Sequence, residues 1–367
     1  MVVAVDGRSL RASGGPRGIA RYLESLLAGL AAANPNDRYE VLTAREANAA
    51  AMRLAAFSPN LVLRSTPIPG RPLFAAAAVT GRPRLDRLLG RCDVFWAPAI
   101  APLSVSTDVP LVVTVHDLSF EHRSADFSAY ERAWHRLARP RRLAHRADRL
   151  IAVSETVRRD VLEEWRIDPG KIVAVPSGPG RNRPAGGPAT SAGRAAGYLL
   201  AVGALEPRKR PGLLVEAHTR ARSAGLQAEL VFAGEGPLRE ELSARGATVL
   251  GHVSDEQLEA LYQGALAVVC VSREEGFAFT PLEAVARGVP AVVSDLPVFT
   301  ETLDDGALRV PAGDPDALAR ALLRIEREDD LRRRLVAYGR RAIARLSWEQ
   351  AAERTRAVLA EAAARRR

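Results

Sequence analysis

Short apolar runs, rich in β-branched residues, recur along the chain and alternate with longer stretches whose apolar positions return every three to four residues. The run Pro110-Leu-Val-Val-Thr-Val-His116 has no polar alternation, the pattern of a strand covered on both faces in a parallel sheet. On this basis strands are predicted at Val2–Asp6, Tyr39–Thr43, Leu61–Arg64, Val94–Ala97, Leu111–His116, Leu150–Ser154 and Ile172–Pro176. After a gap they resume at Tyr198–Gly203, Glu229–Gly234, Thr248–Gly251, Leu266–Ser272, Ala291–Ser294 and Leu308–Pro311. Helical periodicity falls between them, as at Ile19–Ala33, Ala129–Ala147 (broken at Pro140), Ser154–Trp165 and Pro211–Ala224. Such βαβα alternation predicts an α/β, doubly wound architecture. The gap, Gly178–Gly197, is dense in Gly, Pro, Ala and Ser without apolar period, and reads as a linker. The expected organisation is domain 1–177, linker 178–197 and domain 198–346. A last helix over 347–367 is expected to pack back toward the first domain.

The length of 367 residues suits two domains. Charge changes the picture more. Fifty-two basic residues against 43 acidic ones give a net +9, yet only Lys171 and Lys209 are lysines. Arginine on that scale, beside abundant alanine, reads partly as compositional bias. No helix-turn-helix, zinc or RNP-type aromatic motif accompanies the basicity, so nucleic acid is not an expected partner. The start of the chain has no basic segment and no apolar run reaches 18 residues, so the expected location is cytoplasmic, either free or peripheral at the inner face of the cell membrane. Cys92 and Cys270 have no metal-ligand spacing, and Cys270 reads as a small buried hydrophobe.

The stretch Ser272–Pro290 carries the most chemistry. A buried strand ends at Ser272, Gly276 turns the loop, and a helix is predicted to begin near Pro281. Thr280 as N-cap, Pro281 at the first position and Glu283 at the third would form a capping box. The amides at that helix start would suit phosphate. Asp314-Pro-Asp316 has the spacing of a metal-binding D-x-D, but Asp314 as N-cap with Pro315 after it explains the residues, and no metal is expected.

Glu275 and Glu283, seven residues apart within E-G-F-x-x-x-P-L-E-A-x-A-x-G-x-P, resemble the E-x7-E motif of group 1 (family 4) glycosyltransferases. The resemblance extends through Gly18-Ile-Ala-Arg-Tyr22, Thr114-Val-His-Asp117, Val202-Gly-Ala-Leu-Glu-Pro-Arg-Lys209, Val231-Phe-Ala-Gly-Glu-Gly-Pro237, Leu250-Gly-His-Val-Ser-Asp255 and Ser347-Trp-Glu349. It implies the GT-B fold, two Rossmann-like domains facing a central cleft. It also implies retaining transfer of a hexosyl group from a nucleotide-diphosphate sugar, GDP-mannose in type, to a glycan or lipid-linked acceptor, with no metal or other cofactor. By the same resemblance Glu283 holds the ribose, Glu275 the transferred sugar, and the amides of Phe279 and Thr280 the diphosphate. Lys209 and Arg208 follow the charge on the leaving group, His116 lies by the reacting centre, and Val253 lies along the base. Gly18 lets the diphosphate approach, with Gly14 and Gly15 freeing the loop before it. Many relatives carry arginine directly after the glycine of the first donor-domain strand, where this chain has Gly203-Ala204; Arg208 is expected to share that work.

The arginines of Arg132–Arg149 fit two readings, a solvated face or a surface for anionic lipid or a diphosphate-linked acceptor. Those of Arg332–Arg345 read as a solvated helix face. The alternatives to a transferase are a nucleotide-sugar epimerase of the same fold and a two-lobed nucleotide-sugar binding protein.

Overall fold

The computed structural model describes residues 1–10, 17–44, 49–66, 70–180 and 197–365. Gly14 and Gly15, and 181–196 of the linker, lie outside the described residues. All thirteen expected strands form, with ends shifted by no more than two residues. They are β1 (Val2–Asp6), β2 (Arg38–Ala44), β3 (Leu61–Thr66), β4 (Val94–Ala97), β5 (Leu111–Val115), β6 (Arg149–Ala152) and β7 (Ile172–Ala174). The second set is β8 (Tyr198–Val202), β9 (Glu229–Ala233), β10 (Thr248–Gly251), β11 (Ala265–Cys270), β12 (Ala291–Ser294) and β13 (Ala307–Val310).

The chain divides into two compact units, Met1–Arg181 with Ser347–Arg367, and Asn182–Leu346. Each is built on one parallel sheet. The first runs β3-β2-β1-β4-β5-β6-β7, the second β10-β9-β8-β11-β12-β13. In both, strands are laid outward on one side and then, after a reversal, on the other, which is the doubly wound order. The reversals fall between β1 and β4 and between β8 and β11. Helices cover the faces, so β4, β5 and β12 are buried along their whole length, as their unbroken apolar runs require. Trp96 on β4 meets its polar obligation internally: the indole N–H donates to Thr114 Oγ1 at 3.0 Å.

Local signals set the helix ends. Ser128 and Glu131 form a capping box for Ala129–Ala138, and Ser154 caps Glu155–Trp165. The single period Ala129–Ala147 is two helices, Ala129–Ala138 and Pro140–Arg146, joined at Arg139 with φ 48°. Pro140 has no N–H to continue the first helix.

The helix Trp348–Ala364 belongs to the first unit. Ser347 caps it, accepting from the Gln350 amide at 3.1 Å. It crosses Arg17–Ala33 closely: a Cβ on Gly29 would lie 2.9 Å from that of Ala352. Arg356 donates to Asp37 at 2.6 Å, the same carboxylate that accepts from the Met1 ammonium at 2.9 Å. Trp348, 4% exposed, donates its indole N–H to the Gly180 carbonyl at 2.7 Å. Truncating this side chain removes both packing and a buried hydrogen bond. Trp348→Ala should therefore lower unfolding free energy by about 3–5 kcal/mol, read as a fall in the urea midpoint, with Trp348→Phe intermediate.

Candidate active site

In the second unit the reversal sets the carboxyl ends of β8 and β11 side by side, and the loops that leave them carry the chemistry. After β8 the chain turns hard against the loop after β9. The Gly203 amide donates to Ala233 O at 3.1 Å and the Leu205 amide to Glu235 O at 2.9 Å. A Cβ on Gly234 would fall 1.8 Å from the Gly203 carbonyl oxygen, so only glycine fits there. The chain then makes a 3-10 turn, Pro207–Lys209, pinned to the β11 loop by the Arg273 amide donating to Arg208 O at 2.9 Å.

That turn delivers two cations to Glu275. Lys209 Nζ donates to Glu275 Oε1, and Arg208 donates to the carbonyl of Glu274 at 3.4 Å. Ser272 Oγ donates to the same Oε1 at 2.6 Å, and Cys270 Sγ lies 3.9 Å from it. The Glu275 side chain is 8% exposed. Burial alone would push its carboxyl up; the charges of Lys209 and Arg208, with hydrogen bonds from Lys209 and Ser272, outweigh it and hold the pKa below the usual glutamate value. Burial, then the Glu275 charge, pushes the Cys270 thiol up to about 11. Cys270 is a protonated neighbour of the carboxylate, and Ser272 its donor. Neither role was legible beforehand, since an apolar strand signal covered both residues.

The second glutamate corrects the capping expectation. The helix is Phe279–Ala286, with Ala278 in the left-handed region (φ 59°) at the capping position and no side-chain cap. Thr280 therefore sits inside the first turn, and no Thr280–Glu283 capping box exists. Glu283 is 4% exposed and its Oε2 accepts from Tyr262 OH at 2.8 Å. A tertiary partner on the helix Asp255–Gly264 took the carboxylate that local spacing had assigned to a cap. Phe279 and Thr280 remain at the helix N-terminus, whose dipole favours anions. Val253, after β10, packs partly buried against the unit's core; His252 before it is exposed.

In the first unit, His116 follows β5. Its Nε2 donates to the Pro98 carbonyl at 2.8 Å, and the Tyr22 ring stands edge-on at 4.8 Å. Burial pulls its pKa below 6.5 against the opposing pulls of the Pro98 carbonyl and Asp117. The imidazole is thus neutral near pH 7, with Nδ1 as the acceptor nitrogen. Asp117 turns away to accept from the Ser119 amide at 3.0 Å. Gly18 lies at the start of Arg17–Ala33; a Cβ there would meet nothing within 4 Å, so the unit itself does not demand a glycine. At the end of β1 a buried pair passed unnoticed in the sequence: Arg8 grips both oxygens of Asp6 at 2.5 Å and donates to Pro102 O at 3.1 Å.

The arginines of Arg132–Arg149 divide. Arg132, Arg141, Arg146 and Arg149 make hydrogen bonds within the unit, to Phe127 O, Glu121, Ser106 O and Gly170 O among others. Arg136, Arg139 and Arg142 are exposed. Asp314 caps Pro315–Arg327, its Oδ1 accepting from the Asp316 and Ala317 amides, both at 2.9 Å. Among the described residues no group of three or more His, Cys, Asp and Glu could hold a metal, and no helix is long and apolar enough to cross a membrane.

The structure thus gathers Glu275, Lys209 and Arg208, with Phe279, Thr280, Glu283 and Val253 in the same unit; His116 and Gly18 belong to the other. A glutamate whose folded pKa is depressed stabilises the fold above its unfolded value, and that stabilisation is lost as pH falls through the folded pKa. Lys209→Met should therefore cost about 3 kcal/mol of stability at neutral pH. By chemical denaturation the deficit should shrink below about pH 4, where Glu275 is protonated in the unfolded chain.

Residues 194–342 match the model of glycosyl transferases group 1, and residues 16–179 that of glycosyltransferase family 4. The chain is 32% identical over 270 residues to a phosphatidyl-myo-inositol mannosyltransferase of Mycobacterium leprae (strain TN), covering 69% of this chain and 66% of that protein. It is 30% identical over 289 residues to a D-inositol 3-phosphate glycosyltransferase of Salinispora arenicola (strain CNS-205), covering 70% and 64%. Both matches span just under two thirds of the relative's own length. The sucrose-phosphate synthase of Thermosynechococcus elongatus superposes with TM-score 0.72 over 99% of each chain at 19% identity, a likeness of GT-B fold. Matches to the family's two models, over both units, identify the chain as a member of the group 1 (family 4) glycosyltransferases.

Proposed function

We propose that this chain transfers a hexosyl group, mannosyl in type, from a GDP-sugar to a hydroxyl of a glycan or lipid-linked acceptor, with retention and without a metal. The observation that carries the reading is the buried Glu275 carboxylate held by Lys209 and Ser272 with Arg208 beside it, at the carboxyl ends of β8 and β11. The mannosyltransferase relative supports the choice of sugar.

In this reading Glu275 accepts hydrogen bonds from hydroxyls of the transferred sugar, and Glu283 from the ribose diol. The diphosphate lies on the amides of Phe279 and Thr280, and Val253 lies along the base. Lys209 and Arg208 neutralise the charge that builds as the bond from the anomeric carbon to the diphosphate oxygen breaks. With two cations and a helix end on the diphosphate, no metal is required. Lys209 leaves Glu275 for the diphosphate, a short excursion for a flexible ammonium. The acceptor oxygen attacks from the face the leaving group vacates, and its proton passes to the departing phosphate oxygen. The charge on the sugar is oxocarbenium-like, and the neutral His116 keeps Nδ1 as a hydrogen-bond acceptor for a sugar hydroxyl. Both motif glutamates are engaged with hydroxyls, so no carboxylate serves as nucleophile, in contrast to retaining glycosidases.

A lipid-linked acceptor fits the Ala129–Ala138 helix and its successor, where Arg136, Arg139 and Arg142 are exposed. Exposed arginines suit the anionic cytoplasmic surface of a membrane.

Nucleoside diphosphate release from a panel of sugar donors, with and without acceptor, tests the reading; the highest rate is expected with GDP-mannose, and product anomers read the stereochemistry. Glu275→Ala and Lys209→Ala should each lower kcat by about 10²–10³ with folding retained; near-normal turnover in both rejects the assignment. Replacing Arg136, Arg139 and Arg142 together with serine should abolish sedimentation with anionic liposomes and spare turnover on a soluble acceptor.

A further inference from the structure

Tyr262 lies in the last turn of the helix Asp255–Gly264 and is 1% exposed, among Leu200, Val231, Leu258, Val268 and Val289. A phenol buried that deeply needs a partner for its hydroxyl. It finds Glu283, donating to Oε2 at 2.8 Å. Glu283 is itself buried, so its carboxylate orientation is set by what touches it rather than by solvent. The ring is held in turn. The Arg287 guanidinium stacks over it at 4.9 Å from the centroid, donates to the Glu283 carbonyl at 2.9 Å and to Glu259 at 2.7 Å. Arg287 therefore clamps the end of the Phe279–Ala286 helix to the Asp255–Gly264 helix, and the contact it secures is the one between Tyr262 and Glu283.

We infer that Tyr262 is a positioning residue for nucleotide recognition: its hydroxyl, on a ring braced by Arg287, fixes the Glu283 carboxylate in the orientation that receives the ribose diol. The inference rests on the proposed role of Glu283. A vicinal diol hydrogen-bonds a carboxylate well only when the carboxylate plane faces it, and a carboxylate free to rotate loses that match. Tyr262 needs no contact with the nucleotide to act this way.

The test is calorimetric titration of the full chain with GDP and UDP, each beside its 2′-deoxy counterpart. The wild type should prefer the ribonucleotide. In Glu283→Gln that preference should collapse; a preference left intact there overturns the role of Glu283 itself. In Tyr262→Phe, which keeps the ring and removes one oxygen, the ratio of deoxy to ribo Kd should narrow by about fivefold to tenfold. With an active donor, KM should rise while kcat changes little. An unchanged ratio in Tyr262→Phe beside a collapsed one in Glu283→Gln overturns the inference and leaves the reading of Glu283 standing. Should Tyr262→Phe fail to fold, Arg287→Gln carries the same question. It should narrow the ratio too, and an unchanged ratio overturns the inference; a purely structural tyrosine would lower Tm and leave the ratio alone.

Discussion

A parallel strand covered on both faces offers solvent only its ends, and the cluster around Glu275 is organised by that constraint. The unbroken apolar runs that make β4, β5 and β12 possible leave no room for chemistry along the strands. Polar residues collect in the loops at the carboxyl ends, and the doubly wound order fixes which loops become neighbours. In the second unit the reversal joins the loop after β8 to the loop after β11, and so Lys209 to Glu275. In the first unit the same geometry puts the Asp6–Arg8 pair at the end of β1 and His116 at the end of β5.

Bringing those loops together creates an electrostatic problem that the same residues solve. Glu275 is nearly withdrawn from water, which by itself disfavours its charge. Lys209, Arg208 and Ser272 restore it, and the carboxylate stays ionised and oriented. The supporting contacts are short-range and backbone-anchored: Arg273 holds the turn that carries the cations, and the absence of a side chain at Gly234 lets that turn start so close to β9. Glu283 is handled differently. Its fixed point is a neutral hydroxyl from another helix, braced by a guanidinium that itself bonds to Glu259 and to backbone. One glutamate is held by charge and the other by a phenol.

Much of the fold was legible because it rests on short-range pattern. Strand runs, the Pro140 break and the Asp314 cap are decided within a few residues, and all are found. The Glu283 capping box was misread for a related reason. Its spacing was right for a cap, but Ala278 adopts a left-handed conformation, the helix starts earlier, and Tyr262, 21 positions upstream, claims the carboxylate. The arginine-rich segment was only half legible, since charge counts cannot tell Arg146, bonded to Ser106 O, from Arg142, which is exposed.

The sequence by itself determined the α/β alternation, the two sheets and the residue types available at the strand ends, because periodicity and motif spacing are properties of neighbours in the chain. Only the tertiary structure decided which of those residues meet. Lys209 and Glu275 are 66 positions apart, Tyr262 and Glu283 belong to different helices, and Trp348 closes onto Gly180 across 168 positions. Contacts of that kind follow from strand order and helix packing, where burial turns an ordinary carboxylate or phenol into one that must find a partner.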